Sequence, residues 1–106
     1  MLIDFKDEDF ENKIRKEDVS VVQLSASYCG PCKVLKPLMD KLSENEYKGK
    51  ANFYYADVEN DGINLGSQVG CRAVPTVIVF KKGVEVDRLV GNPGEGQVRA
   101  FIDKNV

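Results

Sequence analysis

Cys29 and Cys32 stand two residues apart in the run Tyr28-Cys29-Gly30-Pro31-Cys32-Lys33. Three chemistries are open to thiols at that spacing: half of a zinc site, inert burial as small hydrophobes, or a reversible dithiol/disulfide couple. Structural zinc wants four Cys or His ligands, and the chain has no histidine and only Cys71 besides. Inert burial fits poorly with Gly and Pro at the entry of a helix, where a thiolate is favoured. The redox couple uses the spacing directly. One thiol attacks a partner's disulfide, and the second must reach the resulting mixed disulfide within one helical turn. Cys29, earlier and expected to be the more exposed, is assigned the attack, and Cys32 the resolution.

Other segments must position this pair. The apolar run from Val19 to Ala26 predicts a strand covered on both faces, with Gln23 as its interruption. Val34, Leu35, Leu38, Met39 and Leu42 predict one face of a helix of about four turns, with a kink expected at Pro37. The cysteines therefore fall at a strand-to-helix junction, where unsatisfied N–H groups and partial positive charge stabilise a thiolate. Lys33, which is expected to be solvated, adds weak electrostatic support that salt reduces.

The remaining pattern continues the alternation. Leu2 to Asp4 reads as a short edge strand and Asp7 to Arg15 as a short amphipathic helix, with Phe10 and Ile14 four residues apart. Asn52 to Val58 reads as a strand, Ile63 to Val69 as a short helix, and Val74 to Phe80 as an apolar strand with Pro75 at its start. Lys81-Lys82-Gly83 signals a hairpin into an edge strand over Val84 to Val90. After the loop Gly91 to Gly96, a closing helix begins near Gln97. Helical crossovers join parallel strands and the hairpin adds an antiparallel pair, so the expected architecture is α/β with a mixed sheet. With 106 residues and no linker or repeat, a single domain over 1–106 is expected.

Bulk properties exclude more than they identify. The formal charge is -2, with Lys+Arg 15 scattered against Asp+Glu 17, which suggests neither a nucleic-acid face nor a membrane patch. No apolar stretch approaches the ~20 residues of a spanning helix, and Met1 to Asp7 lacks a signal peptide's apolar core. A cytoplasmic location is therefore expected. An odd count of three cysteines argues against a secreted disulfide framework.

The Cys-Gly-Pro-Cys motif, the preceding strand, Pro37, the segment Arg72-Ala73-Val74-Pro75-Thr76, the Lys82-Gly83 hairpin and Val90-Gly91 resemble the thioredoxin family, in order, over essentially the whole chain. The resemblance implies a thioredoxin fold, with a central mixed five-stranded sheet flanked by four helices. It implies a protein-disulfide reductase that holds no cofactor, acts on disulfide-containing proteins as a monomer and is recycled by a thioredoxin-reductase-type donor. Pro75 matches the family's cis-proline, which lies beside the cysteines, keeps metals away and offers backbone groups to substrate. Tyr28, Gly30, Pro31, Val74, Pro75, Gly91 and Asn92 match the shallow apolar groove around the reactive sulfur.

Departures from the family pattern are specific. Tyr28 stands where a tryptophan is common, Ser25 falls near another family tryptophan, and no lysine stands near Tyr55. Gln23 replaces a buried aspartate usually credited with handling the resolving cysteine's proton. An amide hydrogen-bonds or organises a water but does not titrate, so proton removal from Cys32 is expected to become the sensitive step. Cys71 is expected as a buried small hydrophobe, with an oxidisable regulatory thiol as its alternative. A non-catalytic binding module using the same groove is the rival function, separable by insulin reduction with dithiothreitol. An oxidase or isomerase of secreted proteins is disfavoured by the Gly-Pro interior and the lack of a signal segment.

Overall fold

The central strand is β2, Ser20–Ser25, and every one of its residues is buried. Its β-branched and aliphatic residues suit a strand covered on both faces. The computed structural model describes residues 1–106, and around β2 it places β1 (Ile3–Asp4), β3 (Asn52–Asp57), β4 (Thr76–Lys81) and β5 (Val84–Val90). The sheet order is β1-β3-β2-β4-β5. β1 and β2 run parallel to β3, while β4 runs antiparallel to both β2 and β5. This is the thioredoxin fold. Its helices are α1 (Asp9–Asn12), α2 (Gly30–Glu44), α3 (Ile63–Gln68) and α4 (Glu95–Asn105).

Strand alternation divides the core. Val21 packs with Leu35, Met39 and Leu42 of α2 and with Val98, Phe101 and Ile102 of α4. Val22 and Leu24 pack on the opposite face with Phe10, Ile14 and Leu65. Each fully buried aliphatic of this kind contributes roughly 1.5–3 kcal/mol relative to exposure. α2 runs through Pro37 without ending, and the proline is exposed. The first predicted helix is split instead. α1 stops at Asn12, Lys13 departs from helical geometry (φ -127, ψ -61), and a 3-10 turn at Ile14–Lys16 follows. Ile14 is thereby fully buried against the second core, a tertiary demand that periodicity does not reveal.

The β4–β5 hairpin turns through Lys82 (φ 53) and Gly83 (φ 80), two left-handed residues in succession, as a tight twisted hairpin requires. A Cβ on Gly83 would also come within 2.8 Å of Arg15 Cγ. At the C-terminal side, the Tyr47 hydroxyl donates to the Asp103 carboxylate and ties the segment after α2 to α4.

Burial first, and then the Asp103 carboxylate, push the Tyr47 phenol from 10.0 up to about 12. The folded state thus prefers the neutral phenol. Its contribution to stability is intact below the unfolded value near 10 and is lost as pH rises towards about 12. Unfolding free energy measured across that window should fall more steeply for the native protein than for Tyr47→Phe. Parallel curves would contradict the assignment, because Tyr54, raised by burial and by Glu17, titrates alike in both proteins.

Candidate active site

Three chain segments meet at one end of the sheet because of strand register. Leu24, near the end of β2, lies opposite Thr76 at the start of β4, and Thr76 lies opposite Val90 at the end of β5. The loop leaving β2, the loop entering β4 and the loop leaving β5 are therefore neighbours. They carry Cys29, Val74-Pro75 and Gly91-Asn92.

Cys29 is the N-cap of α2, with extended backbone (φ -88, ψ 109), and it is joined to Cys32 as a disulfide across 5.3 Å between Cα atoms. The Cys29 N–H donates to the Ala26 carbonyl at 3.1 Å, which folds the loop back onto the strand end. The Cys32 N–H donates to Cys29 Sγ at 3.1 Å. An N–H at a helix start, otherwise without an intrahelical acceptor, is thus directed at this sulfur and favours negative charge on it. Cys29 is 6% exposed and Cys32 0%. Both count as buried, but only Cys29 reaches the surface. Pro31 sits in the first turn of α2, where its missing N–H costs nothing, and a Cβ on Gly30 would meet nothing within 4 Å. The outer side of the pair is sterically open.

Ala26 and Val74 close an apolar cluster around the two cysteines. The Val74–Pro75 peptide is cis. Pro75 is buried, and its carbonyl accepts from Gly91 N at 2.8 Å. Thr76 Oγ1 donates to the Ala73 carbonyl at 2.7 Å and fixes the other side of the same loop. The N–H and C=O of Val74 itself engage no partner in the protein. Asn92 is half-buried and caps its own loop, with Oδ1 accepting from Gly94 N at 3.2 Å. Tyr28 is 72% exposed beside Cys29 and Val90 57% exposed before Gly91. The predicted site residues thus converge, with Tyr28 and the exposed Lys33 on the rim.

Beneath the pair, Gln23 is wholly buried. Its Nε2 donates to Ser25 Oγ at 2.9 Å and to the Cys32 carbonyl at 3.2 Å. Ser25 joins the site through this contact, for it lies two residues from Gln23 and so on the same strand face, a period-2 signal present in the sequence. Tyr55, which lies opposite Gln23 across the β2–β3 pair, carries the Lys36 ammonium 5.5 Å from its ring centre. This lysine comes from α2 rather than from the neighbouring strand.

Cys71 departs from the expectation of a buried hydrophobe. Gly70 (φ 66) ends the α3 region in a left-handed turn, and Cys71 N bonds back to the Gly66 carbonyl at 2.9 Å. The side chain emerges half-buried at the margin of the second core, its thiol donating to the Ala73 carbonyl at 3.3 Å.

Comparison with known proteins places this arrangement. A family model for thioredoxin matches residues 1–104. The chain is 32% identical to thioredoxin of Staphylococcus epidermidis over 105 residues, covering 99% of this chain and 98% of that protein. It is 41% identical over 83 residues to mitochondrial thioredoxin-2 of Schizosaccharomyces pombe, a match spanning 78% of this chain and 60% of that longer relative. Among solved structures it is similar to Malassezia sympodialis thioredoxin (Mala s 13), with a TM-score of 0.88 and 30% identity, covering 99% of this chain and 90% of that one.

In the oxidised protein Cys71 is the free thiol. A small alkylating reagent should label it in the folded state, more slowly than after unfolding, and mass analysis should place the single adduct there. Labelling that begins only on unfolding would return Cys71 to the buried class.

Proposed function

The chain belongs to the thioredoxin family and is a thiol–disulfide oxidoreductase, and from this premise we propose that Cys29 opens substrate disulfides and Cys32 releases them. The observation that carries the division of roles is the unequal exposure of the two residues, 6% for Cys29 against none for Cys32. In the reduced protein the Cys29 thiolate attacks one sulfur of a substrate disulfide. That bond breaks, one substrate thiolate leaves and takes a proton, and a mixed disulfide remains on Cys29. The Cys32 thiolate then attacks Cys29 Sγ, the bond to substrate breaks, and the second substrate thiolate departs. Two electrons have passed to substrate, and the protein is left with the Cys29–Cys32 disulfide. A thioredoxin-reductase-type donor returns the two electrons.

Substrate lies against Tyr28, Val74, Pro75, Gly91 and Asn92, with Gly30 and Pro31 leaving room for its backbone. The unengaged N–H and C=O of Val74 support pairing with an extended substrate segment, since backbone groups left without partners are those a bound strand satisfies. Gln23 does not titrate, so deprotonation of Cys32 is the step on which turnover depends most.

Cys29→Ser should reduce insulin-disulfide reduction to background, whereas Cys32→Ser should accumulate a covalent adduct with substrate that dithiothreitol releases. If Cys32→Ser captured no adduct from any protein disulfide, the assignment of roles would fail. Gln23→Asp places a titrating group, its pKa raised by burial, under Cys32. Its rate against pH should then gain a transition that the native profile lacks, and superimposable profiles would remove Gln23 from the resolving step.

A further inference from the structure

The hydrogen-bond inventory under the disulfide does not close. Gln23 brings two amide hydrogens and one carbonyl oxygen into a site where it is 0% exposed. Both hydrogens are used, on Ser25 Oγ and on the Cys32 carbonyl. The oxygen, Oε1, has no partner. Turning the amide over does not cure this. It would set Oε1 against the Cys32 carbonyl oxygen, acceptor facing acceptor, and would leave the amide nitrogen as the unpartnered group instead. The contact with Cys32 therefore fixes the amide, and the orphan is the acceptor.

Buried acceptors without partners cost free energy and are rare, so each one asks what satisfies it in another state of the molecule. The state that changes is the pair itself. In the disulfide, Cys32 Sγ has no hydrogen to give. After reduction it is a thiol, a weak donor, and it is as fully buried as Gln23. The apolar contacts of the two cysteines are made with Ala26 and Val74. Gln23 is the polar side chain that already bonds to Cys32.

We propose that Gln23 Oε1 accepts the Cys32 thiol hydrogen in the reduced protein, making Gln23 a positioning residue that favours the dithiol over the disulfide. This rests on the reading that the pair cycles during turnover. In the balance, two glutathione thiols give two electrons and two protons to the Cys29–Cys32 disulfide, which becomes two thiols as glutathione disulfide forms. The hydrogen arriving on Cys32 completes a bond that the oxidised protein lacks. Removing the acceptor removes a penalty from the oxidised state alone, so variants lacking it should hold the disulfide more strongly.

The test equilibrates native protein, Gln23→Met and Gln23→Leu with glutathione buffers and reads the dithiol fraction by alkylation and mass. Both variants should shift the constant about tenfold towards the disulfide, equivalent to about 30 mV more negative. Constants equal within twofold, as when a water serves Oε1 in both states, or a shift towards the dithiol, would overturn the proposal. The second measurement needs no variant at Gln23 to fold. In Cys29→Ser, Cys71→Ser protein, Cys32 carries the remaining thiol, and its S–H stretching band should lie at the lowered frequency of a hydrogen-bonded thiol. A band at the unbonded position overturns the proposal. Insulin reduction by the native protein separates the two readings. Its failure would sink the redox cycle while leaving the hydrogen bond to the infrared result, and its success with unchanged glutathione constants would sink the inference alone.

Discussion

The antiparallel pairing of β2 with β4 is the constraint on which the site depends. Register sets Leu24 opposite Thr76, so the chain leaving β2 towards Cys29 passes beside the chain arriving through Val74 and Pro75. Side chains alternate faces along a strand, and a slip of one residue would turn Gln23 and Ser25 towards the α1 and α3 side while driving Val22 and Leu24 under α2. The apolar composition of both faces holds the register. Val21 on one side, and Val22 with Leu24 on the other, are each completely buried in separate cores.

A second tier of polar contacts converts this register into a defined site. The Pro75 carbonyl takes the Gly91 N–H, and the Ala73 carbonyl takes the Thr76 hydroxyl. These bonds hold the β4 entrance on both sides of Val74 and leave the backbone of Val74 unused. The loop is thus fixed by its neighbours, with no internal ladder of its own. On the other half of the site the Cys32 N–H reaches Cys29 Sγ, so the helix start and the sulfur are positioned together. α2 is itself anchored at a distance, because the Leu2 N–H donates to Asp40 at 2.8 Å and packing covers Leu35, Met39 and Leu42.

Much of this was legible in the chain because its signals are local. A continuous apolar run announces a doubly covered strand, and Gly-Pro between cysteines announces a helix entry. Pro75 ahead of an apolar strand marks that strand's start. What escaped depends on packing between distant segments. The break at Lys13 follows from Ile14 entering a core formed with β2 and β4, and the half-exposure of Cys71 follows from the left-handed turn at Gly70. Gln23 was visible as an anomaly, but its role turns on which atom of the amide is left over. That is set by the distances to Ser25 and Cys32 and by no pattern of residue types.

The two sulfurs end in different surroundings although only two residues separate them. Cys29 caps the helix and has an open outer side at Gly30, so an incoming disulfide meets little steric resistance. Cys32 lies one turn inward, without solvent contact, and the Gln23 amide grips its carbonyl. Attack and release therefore proceed in unlike media, one at the water boundary and the other out of solvent contact, beside the Gln23 amide. Charge on the inner sulfur gains little from solvent there, so the local hydrogen bonds govern when that sulfur can act. The same β2 register that delivers Cys29 to the surface also sets Gln23 beneath Cys32, which makes access for the substrate and the chemistry of its release two consequences of one strand pairing.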